Sequence, residues 1–175
     1  MQDRPFTPRY IPTEIQFQDG KIQAIVYRAD EGRRPGIDGR IEEYWNSNLF
    51  VNQGMDWLAA FQSTAPGSAM NHMMVGSCTN AVSLTCRVTS LGELKRNTMA
   101  TRVANSGSNI LTETCSFGGS IDGLTSLGIL VIGVTNDARS GNFGELRSAS
   151  VQGTPIVLGN SDTVLFNYIT TVGSR

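Results

Sequence analysis

Leu124–Val134, which reads Leu-Thr-Ser-Leu-Gly-Ile-Leu-Val-Ile-Gly-Val, is the most apolar run of the chain and carries no charge. A run of this kind between turn residues is typical of a strand that is buried on both faces, although periodicity alone also allows a buried helix. Its short length, its β-branched residues and the glycines at Gly128 and Gly133 favour the strand. We therefore predict a central strand here, and we expect the strands before and after it in the chain to be its partners.

The composition describes a chain of 175 residues, long enough for one domain with a core, that carries little charge. Charged residues make up 17%, and the formal net charge is -1. A nucleic-acid-binding surface normally needs a basic excess, and disorder needs high charge with few apolar residues, so both are disfavoured. The chain has only two lysines, Lys21 and Lys95, and lysine is depleted from interfaces. A surface of Gly, Ser, Thr and Asn therefore suits burial against partners.

Signals for membranes, secretion and metals are missing from the sequence. No run approaches the roughly 18 apolar residues of a membrane span, and the N-terminus lacks the basic and apolar regions of a signal peptide. The odd set of Cys78, Cys86 and Cys115 favours free thiols, with intermolecular disulfides in an assembled particle as the alternative. The single His72 and the cysteine spacing do not match a zinc site. We expect no metal and no other cofactor.

The first 20 residues predict an extended N-terminal arm. Pro5, Pro8 and Pro12 disfavour a helix or a central strand, because proline fixes φ and donates no backbone hydrogen bond. Apolar side chains nevertheless recur between the polar ones, and they need a surface to cover them. We predict that the arm lies across a neighbouring subunit; a disordered terminus is the alternative. The predicted partner-binding residues are Phe6, Tyr10, Ile11, Ile15 and Phe17.

The chain after the arm combines short helical segments with several strands. Gln18–Lys21 places Asp-Gly between alternating segments and predicts a hairpin turn. The charged, glycine-rich stretch 28–40 is expected to be a solvated loop, with an acidic or phosphate-bearing partner as the alternative. Apolar spacing predicts a helix at 53–62, and a capping box predicts a helical turn in Ser90–Arg96. Strand candidates are Met70–Gly76, Thr98–Ala104, Ile110–Phe117, Glu145–Val151, Pro155–Leu158 and Thr163–Val172.

Five or more short strands with turns between them predict an all-β fold. We expect an antiparallel, jelly-roll-like β-sandwich with one short helix and an extended N-terminal arm. Residues 1–20 would form the arm, and residues 21–175 would form a single β-sandwich domain.

No group of residues in the sequence carries a recognisable catalytic pattern. Glu42 and Glu43 are adjacent, so on a strand they point to opposite sides and cannot act as an acid/base pair. Asp137 and Glu145 flank a glycine-containing loop, but the ligand spacing of a calcium loop is missing. There is no phosphate-binding loop, no Gly-x-Gly-x-x-Gly and no nucleophile elbow. We therefore predict that the protein is not an enzyme, and we keep a small hydrolase as a minor alternative.

Short motifs follow one another in order through the second part of the chain. They comprise a Gly-led helix, a strand that ends in Val-Gly, a polar stretch, a Leu- and Glu-containing segment, a Leu-Gly-Ile-Leu strand, a Leu-Arg-Ser segment, a Thr-Pro-Ile segment and a closing strand. The corresponding segments are Gly54–Leu58, Met73–Gly76, Thr79–Val82, Ser90–Arg96, Ser126–Leu130, Leu146–Ser150, Thr154–Ile156 and Asp162–Thr170. This series resembles virion structural proteins of tailed bacteriophages, in particular the N-terminal domain of tail-collar and tail-fibre proteins and small head decoration proteins.

The resemblance implies a β-rich virion component without enzymatic residues. We predict a head decoration or cement protein, a neck or collar subunit, or a tail or baseplate subunit, assembled in the host bacterial cytoplasm. Its partners would be copies of itself, as a homo-oligomer, and other virion proteins, with no nucleic acid and no membrane. The alternative is a receptor- or carbohydrate-binding β-sandwich module of a phage tail, which would expose Trp45, Trp57 or Tyr44 in a groove.

Overall fold

The computed structural model describes residues 15–29, 41–56, 69–105, 107, 110–141 and 143–174 of the chain. These residues form nine strands, a 3₁₀ turn at Val88–Ser90 and a helical segment at 52–56. The strands are β1 Ile15–Tyr27, β2 Ile41–Phe50, β3 His72–Gly76, β4 Glu93–Thr98, β5 Thr101–Asn105, β6 Ile110–Gly118, β7 Gly128–Thr135, β8 Leu146–Val157 and β9 Thr163–Ser174.

The nine strands form one antiparallel sheet that curls into half a barrel, in the order β4-β3-β7-β8-β2-β1-β9-β6-β5. Two residue pairs, Leu49–Ala149 and Phe50–Ser148, join β2 to β8. This narrow junction separates a four-stranded half (β4-β3-β7-β8) from a five-stranded half (β2-β1-β9-β6-β5). The prediction of an antiparallel all-β fold with one short helix is confirmed, whereas the expected sandwich and jelly-roll arrangement is not confirmed by this single sheet.

The inner faces of the two halves share one hydrophobic core. Alternate residues of β1, β6 and β9 point into it, and the rings of Phe117 and Phe166 meet there edge to face with centroids 5.9 Å apart. The four-stranded half contributes Met73 from β3, and Ile132 and Val134 from β7. Because side chains alternate along a strand, this core uses one face of each strand. The curl of the sheet brings these faces together.

The outer face of the four-stranded half is buried as well, beneath the segment 77–92. Met74 and Val131 point outward from β3 and β7 and join a second apolar cluster that includes Leu91 of this segment. A Cβ atom at Gly133 would lie 2.9 Å from the Leu91 Cδ1 atom. The missing side chain at Gly133 thus lets the segment 77–92, the covering segment, close onto β7.

The apolar run that predicted the central strand forms most of β7, which is buried on both faces. The strand begins at Gly128 rather than at Leu124, since Ser126 has a φ of 62° and interrupts the extended backbone. The following strand, β8, pairs with β7 as predicted. The expectation for the preceding strand is wrong, because β6 pairs with β5 and β9 in the other half of the sheet. The chain changes halves between β6 and β7.

The predicted hairpin at Gln18–Lys21 is wrong. β1 runs through it as one strand from Ile15 to Tyr27, and the register with β9 shifts between Gln18 and Lys21. Asp-Gly here forms a β-bulge. A bulge, like a hairpin turn, suits residues with a permissive backbone, but it does not reverse the chain. The two alternating segments pair with β9 and β2 rather than with each other.

Two other segments differ from expectation. The capping-box pattern in Ser90–Arg96 predicted a helical turn, but Glu93 begins the strand β4 and the only helical turn nearby is Val88–Ser90. The candidates on either side of residue 153 form one strand, β8, whose register with β7 jumps between Val151 and Ile156. Pro155 lies in that jump, where it removes no ladder hydrogen bond. The helix predicted at 53–62 is helical at 52–56, and the residues from 57 lie outside the described ones.

Candidate functional site

Of the five predicted partner-binding residues, the structure describes two, and those by their backbone. Ile15 and Phe17 lie in β1 and pair with the final residues of β9. Phe6, Tyr10 and Ile11 lie outside the described residues. The binding of a partner by these five side chains therefore stays a prediction, and the described surface is the place to look for what they would meet.

The outer face of the five-stranded half carries apolar side chains that stay partly or largely exposed. On β2 the outward residues Ile41 and Trp45 are 56% and 52% exposed. Tyr27 and Gln23 of β1 are their cross-strand neighbours, and alternation places the outward residues of β9 on the same face. We call the apolar members of this surface the outer apolar face; they are Ile25, Tyr27, Ile41, Trp45, Leu165 and Ile169.

Hydrogen bonds orient the Trp45 indole on this face. Its Nε1–H donates to Glu43 Oε1 over 2.5 Å, and the Gln23 Nε2–H donates to the same oxygen over 2.7 Å. Asn167 Nδ2 in turn donates to Gln23 Oε1 over 2.8 Å. Among the described residues none bonds the second oxygen of Glu43, Oε2. The indole and Lys21 line an open depression of about 370 Å³. An oriented aromatic ring thus lies beside a carboxylate that can accept another donor.

Glu42 points to the other side of the sheet, as expected for neighbours on a strand. Its Oε2 accepts hydrogen bonds from Arg28 Nη2 over 2.8 Å and from the Tyr44 hydroxyl over 3.0 Å. Arg28 Nη1 also donates to Asp162 Oδ2 over 2.8 Å. Burial by itself raises the pKa of Asp162, but the bonds from the Gly159 N–H and from Arg28 outweigh it and leave the pKa lowered. This network ties the end of β1 to the turn between β8 and β9, and it turns Tyr44 toward the core rather than into a groove.

A buried ion pair crosses the interior near the junction of the two halves. Glu113 of β6 is fully buried, and Arg147 of β8 is 3% exposed. Arg147 Nη1 donates to Glu113 Oε1 over 3.1 Å, and its Nη2 donates to Oε2. Arg102 Nε of β5 lies 2.9 Å from the same Oε1. Burial lowers the pKa of Arg147, but the Glu113 carboxylate outweighs this and raises it, so the guanidinium keeps its charge.

Tyr168 of β9 continues this polar contact toward β2. Its hydroxyl donates to Ser148 Oγ and accepts from Asn48 Nδ2, and its ring centroid lies 5.1 Å from the Arg147 guanidinium carbon. Burial raises the pKa of Tyr168 to about 12. We call this set the polar seam; it comprises Asn48, Glu113, Arg147, Ser148 and Tyr168. Because the seam spans β2, β6, β8 and β9, it links the halves where their ladder is shortest.

The sequence contained a signal for the buried ion pair that the motif search did not use. Alternation places Glu113 on the same strand face as Cys115 and Phe117, and a carboxylate among core residues requires a charged partner. The partner could not be predicted from the sequence, because Arg147 faces inward only through a register shift in β8. At this shift Val134 pairs with Ser148, and Thr135 pairs with Leu146. The strand β2 was not predicted, so the sequence did not show that Trp45 lies on the outward face of a sheet.

The remaining candidates for chemistry stay apart. Cys78, Cys86 and Cys115 are free thiols, and burial raises the pKa of Cys115 to about 12. Asp137 bonds Arg139, whereas Glu145 bonds Asn136. Within the described ranges, no group of three or more His, Cys, Asp and Glu side chains could hold a metal ion. None of the described helical residues belongs to a helix long and apolar enough to cross a membrane.

Comparison with known proteins gives no match: no family model fits the chain, and no curated protein and no solved structure is significantly similar to it. The outer apolar face, the polar seam and the sequence motifs are therefore the features of this chain that bear on its biological role.

Proposed function

We propose that this protein is a structural subunit of a tailed-phage virion and acts by symmetric assembly. It would decorate or cement the head, or belong to the neck and collar or to the tail and baseplate, and it would reach the virion from the host bacterial cytoplasm. Its partners are copies of itself and other virion proteins. The phage assignment is supported by the ordered motifs in the sequence, and the assembly mechanism is supported by the surface of the five-stranded half.

The observation that carries the assembly mechanism is the outer apolar face. Contiguous exposed apolar patches on a soluble monomer mark interaction sites more often than single exposed residues do. Here Ile41 and Trp45 stay about half exposed, on a sheet whose inner face is fully packed. Lysine is depleted from protein interfaces, and among the described outward residues of β1, β2 and β9 the only lysine is Lys21. The proposed role needs a surface of this kind and needs no catalytic group.

The finer fold assignment belongs to the same proposal. The two halves pack their inner faces on one core and are joined by two ladder pairs. We interpret them as the two layers of a β-sandwich that remains hydrogen-bonded along one edge, with the predicted N-terminal arm reaching a neighbouring subunit and the edges of the sheet available to it.

The test is incorporation into particles. A tagged copy lacking residues 1–14 is supplied to the phage or prophage that encodes the chain, and purified particles are analysed for the tag. We expect loss of incorporation with retained folding by circular dichroism, because the apolar anchors of the arm are gone. The matched control replaces Thr7 and Thr13 by Ala and keeps Phe6, Tyr10 and Ile11. Normal incorporation of the shortened chain would reject the role of the arm, and absence of the intact chain from particles would reject the virion role.

A second function is favoured by one observation. The exposed, oriented Trp45 indole beside Glu43 and Gln23 is also the arrangement with which a receptor- or carbohydrate-binding module of a phage tail stacks a sugar ring. Of the other two aromatic candidates, Tyr44 packs against the core and Trp57 lies outside the described residues. A glycan array probed with the intact chain and with Trp45→Ala tests this reading; binding that requires Trp45 would favour it.

A further inference from the structure

We infer that the surface of β1 and β2 around Trp45 binds the N-terminal segment 1–14 of a second copy of this chain. The inference rests on the proposed function for its oligomeric setting, and it names the partner and the contact. The outer apolar face provides the acceptor, with Tyr27 and Ile41 beyond the indole. The donor is the stretch 1–14, which carries the apolar residues Phe6, Tyr10 and Ile11.

The backbone of the segment suits an aromatic acceptor. Residues 1–14 contain Pro5, Pro8 and Pro12 and no glycine. Proline restricts both its own φ and the residue before it to extended conformations. Extended proline-containing segments lose little conformational freedom on binding, and recognition domains dock them on exposed aromatic rings. Pro5-Phe6-Thr7-Pro8 would lie on the Trp45 indole, which hydrogen bonding to Glu43 already holds in one orientation.

Charge supports the same pairing. Arg4 and Arg9 flank Pro5-Phe6-Thr7-Pro8, and Glu43 lies beside the indole. The Oε2 atom of Glu43 has no described hydrogen-bond partner, so it can accept from a guanidinium. Arg is suited to this contact because its planar fork matches a carboxylate and also stacks on aromatic rings. A sugar would use the indole and leave the apolar remainder of the face, such as Ile41 and Ile25, uncovered.

Geometry favours a second copy over the same chain. Trp45 pairs in register with Gln23, and β1 begins eight residues earlier at Ile15, roughly 26 Å away at strand spacing. The chain enters β1 at Ile15, the end remote from Trp45, and residues 1–14 have a reach of roughly 46 Å. To contact the Trp45 of its own molecule, this segment without glycine would have to reverse direction and run back along β1. A neighbouring molecule meets the segment without this reversal.

The experiment uses two full-length variants, each of which breaks one side of the contact. The arm variant carries Phe6→Ser and Tyr10→Ser and keeps its acceptor, whereas the acceptor variant carries Trp45→Ser and keeps its arm. Association is measured by sedimentation equilibrium for each variant, for the wild type and for a 1:1 mixture. We expect the wild type to associate and each variant alone to associate at least tenfold more weakly. The mixture is expected to form a 1:1 complex and nothing larger, because only one intact contact remains per pair.

The control is Phe143→Ser, which removes another aromatic side chain of similar exposure, 49%, from the loop between β7 and β8, outside the outer apolar face. We expect it to associate like the wild type, and we expect the Trp45 variant to keep its thermal midpoint within about 2 °C, as surface changes usually do. A monomeric wild type, unchanged association of either variant, or a mixture that does not recombine would overturn the inference. Because no particles are involved, its failure is distinct from failure of the virion role, which only the incorporation assay measures.

Discussion

The outer faces of the two halves of the sheet differ in what covers them. On the four-stranded half, the covering segment 77–92 packs Leu91 against Met74 and Val131, and the face is buried. On the five-stranded half, Ile41 and Trp45 of the outer apolar face remain about half exposed. Both halves bury their inner faces in one core. The same sheet is therefore covered by its own chain on one outer face and remains partly exposed on the other.

We expect substitutions on the covered face to change stability and substitutions on the outer apolar face to change association. A Cβ atom at Gly133 would crowd the side-chain ends of Leu91 in the covering segment and Leu146 in β8, each 2.9 Å away. A substitution on this face disturbs packing that folding itself has made. On the outer apolar face, Ile25 and Leu165 are only half-buried, so substitutions there should change association more than folding.

The largest effect is expected for the ion pair that links the halves. Glu113→Ala leaves the Arg147 guanidinium buried without its carboxylate, and breaking a buried pair in this way typically costs about 3–5 kcal/mol. Urea unfolding followed by circular dichroism measures the loss. Arg102→Ala, which removes the more exposed contact to Glu113, is the control and should cost about 1 kcal/mol or less. Equal losses for the two variants would contradict a special role of the Glu113–Arg147 pair.

A matched pair of leucines tests the comparison directly. Leu91→Ala removes a buried side chain from the covered outer face and should lower the free energy of unfolding by about 2–5 kcal/mol. Leu165→Ala removes the same atoms from the outer apolar face, where the side chain is half-buried, and should cost about 1 kcal/mol or less. Both values come from urea unfolding of dilute protein. Similar losses would mean that the outer apolar face is already part of the packed fold.

Alkaline pH should lower the free energy of unfolding through Tyr168 of the polar seam. Burial raises the pKa of Tyr168 from 10.0 to about 12, so between these values the unfolded chain loses a proton that the folded chain keeps. The stabilisation is complete below pH 10 and is lost as the pH rises through 12, by about 2–3 kcal/mol in all. Urea midpoints between pH 8 and pH 11 measure the decline. Tyr168→Phe is less stable at pH 8 but should decline less steeply above pH 10, while Cys115→Ala should remove the part of the decline that begins near pH 9.

The smallest effect is expected at the acid side, on the covered half. Burial and the nearby Arg96 charge lower the pKa of His72 below 6.5, and the more weakly opposing Asp137 charge does not restore it. As the pH falls below 6.5, His72 in the unfolded chain binds a proton before His72 in the folded chain does. The stability that this difference contributes above pH 6.5 is therefore lost as the pH falls through the pKa of His72 in the folded protein. His72→Gln should flatten the urea midpoint between pH 7.5 and pH 5. A midpoint that falls equally in both proteins would assign the acid lability to other groups.

The fold class could be predicted from the sequence because hydrophobic patterns are local. The apolar run in β7 indicates a strand buried on both faces, and the ten alternating residues of β9 indicate a strand with one buried face. Local patterns do not show which strands pair over long distances in the chain, and so β6 was expected to pair with β7 although it pairs with β9. The Asp-Gly in β1 fits a hairpin and a bulge equally well until its partners are known.

Less of the candidate site than of the fold class could be predicted from the sequence. Alternation along β6 could have placed Glu113 on the inward face, although it was not used for this, whereas its partner Arg147 depends on a register shift between β7 and β8. The exposure of Trp45 depends on which strands lie beside β2 and on where the covering segment closes. Local residue patterns do not contain these facts.

The pairing of β1 with β9 also has a consequence for synthesis of the protein. β1 lies between β2 and β9, and its ladder with β9 runs from Ile15–Ser174 to Tyr27–Thr163. On the ribosome, β1 and β2 emerge early, whereas β9 emerges after every other described strand. Until then one edge of β1 has no partner, and unpaired edges of a nascent chain invite aggregation. The sheet therefore closes only after translation of its last strand, and its high contact order predicts slow folding and a need for protection of the nascent chain.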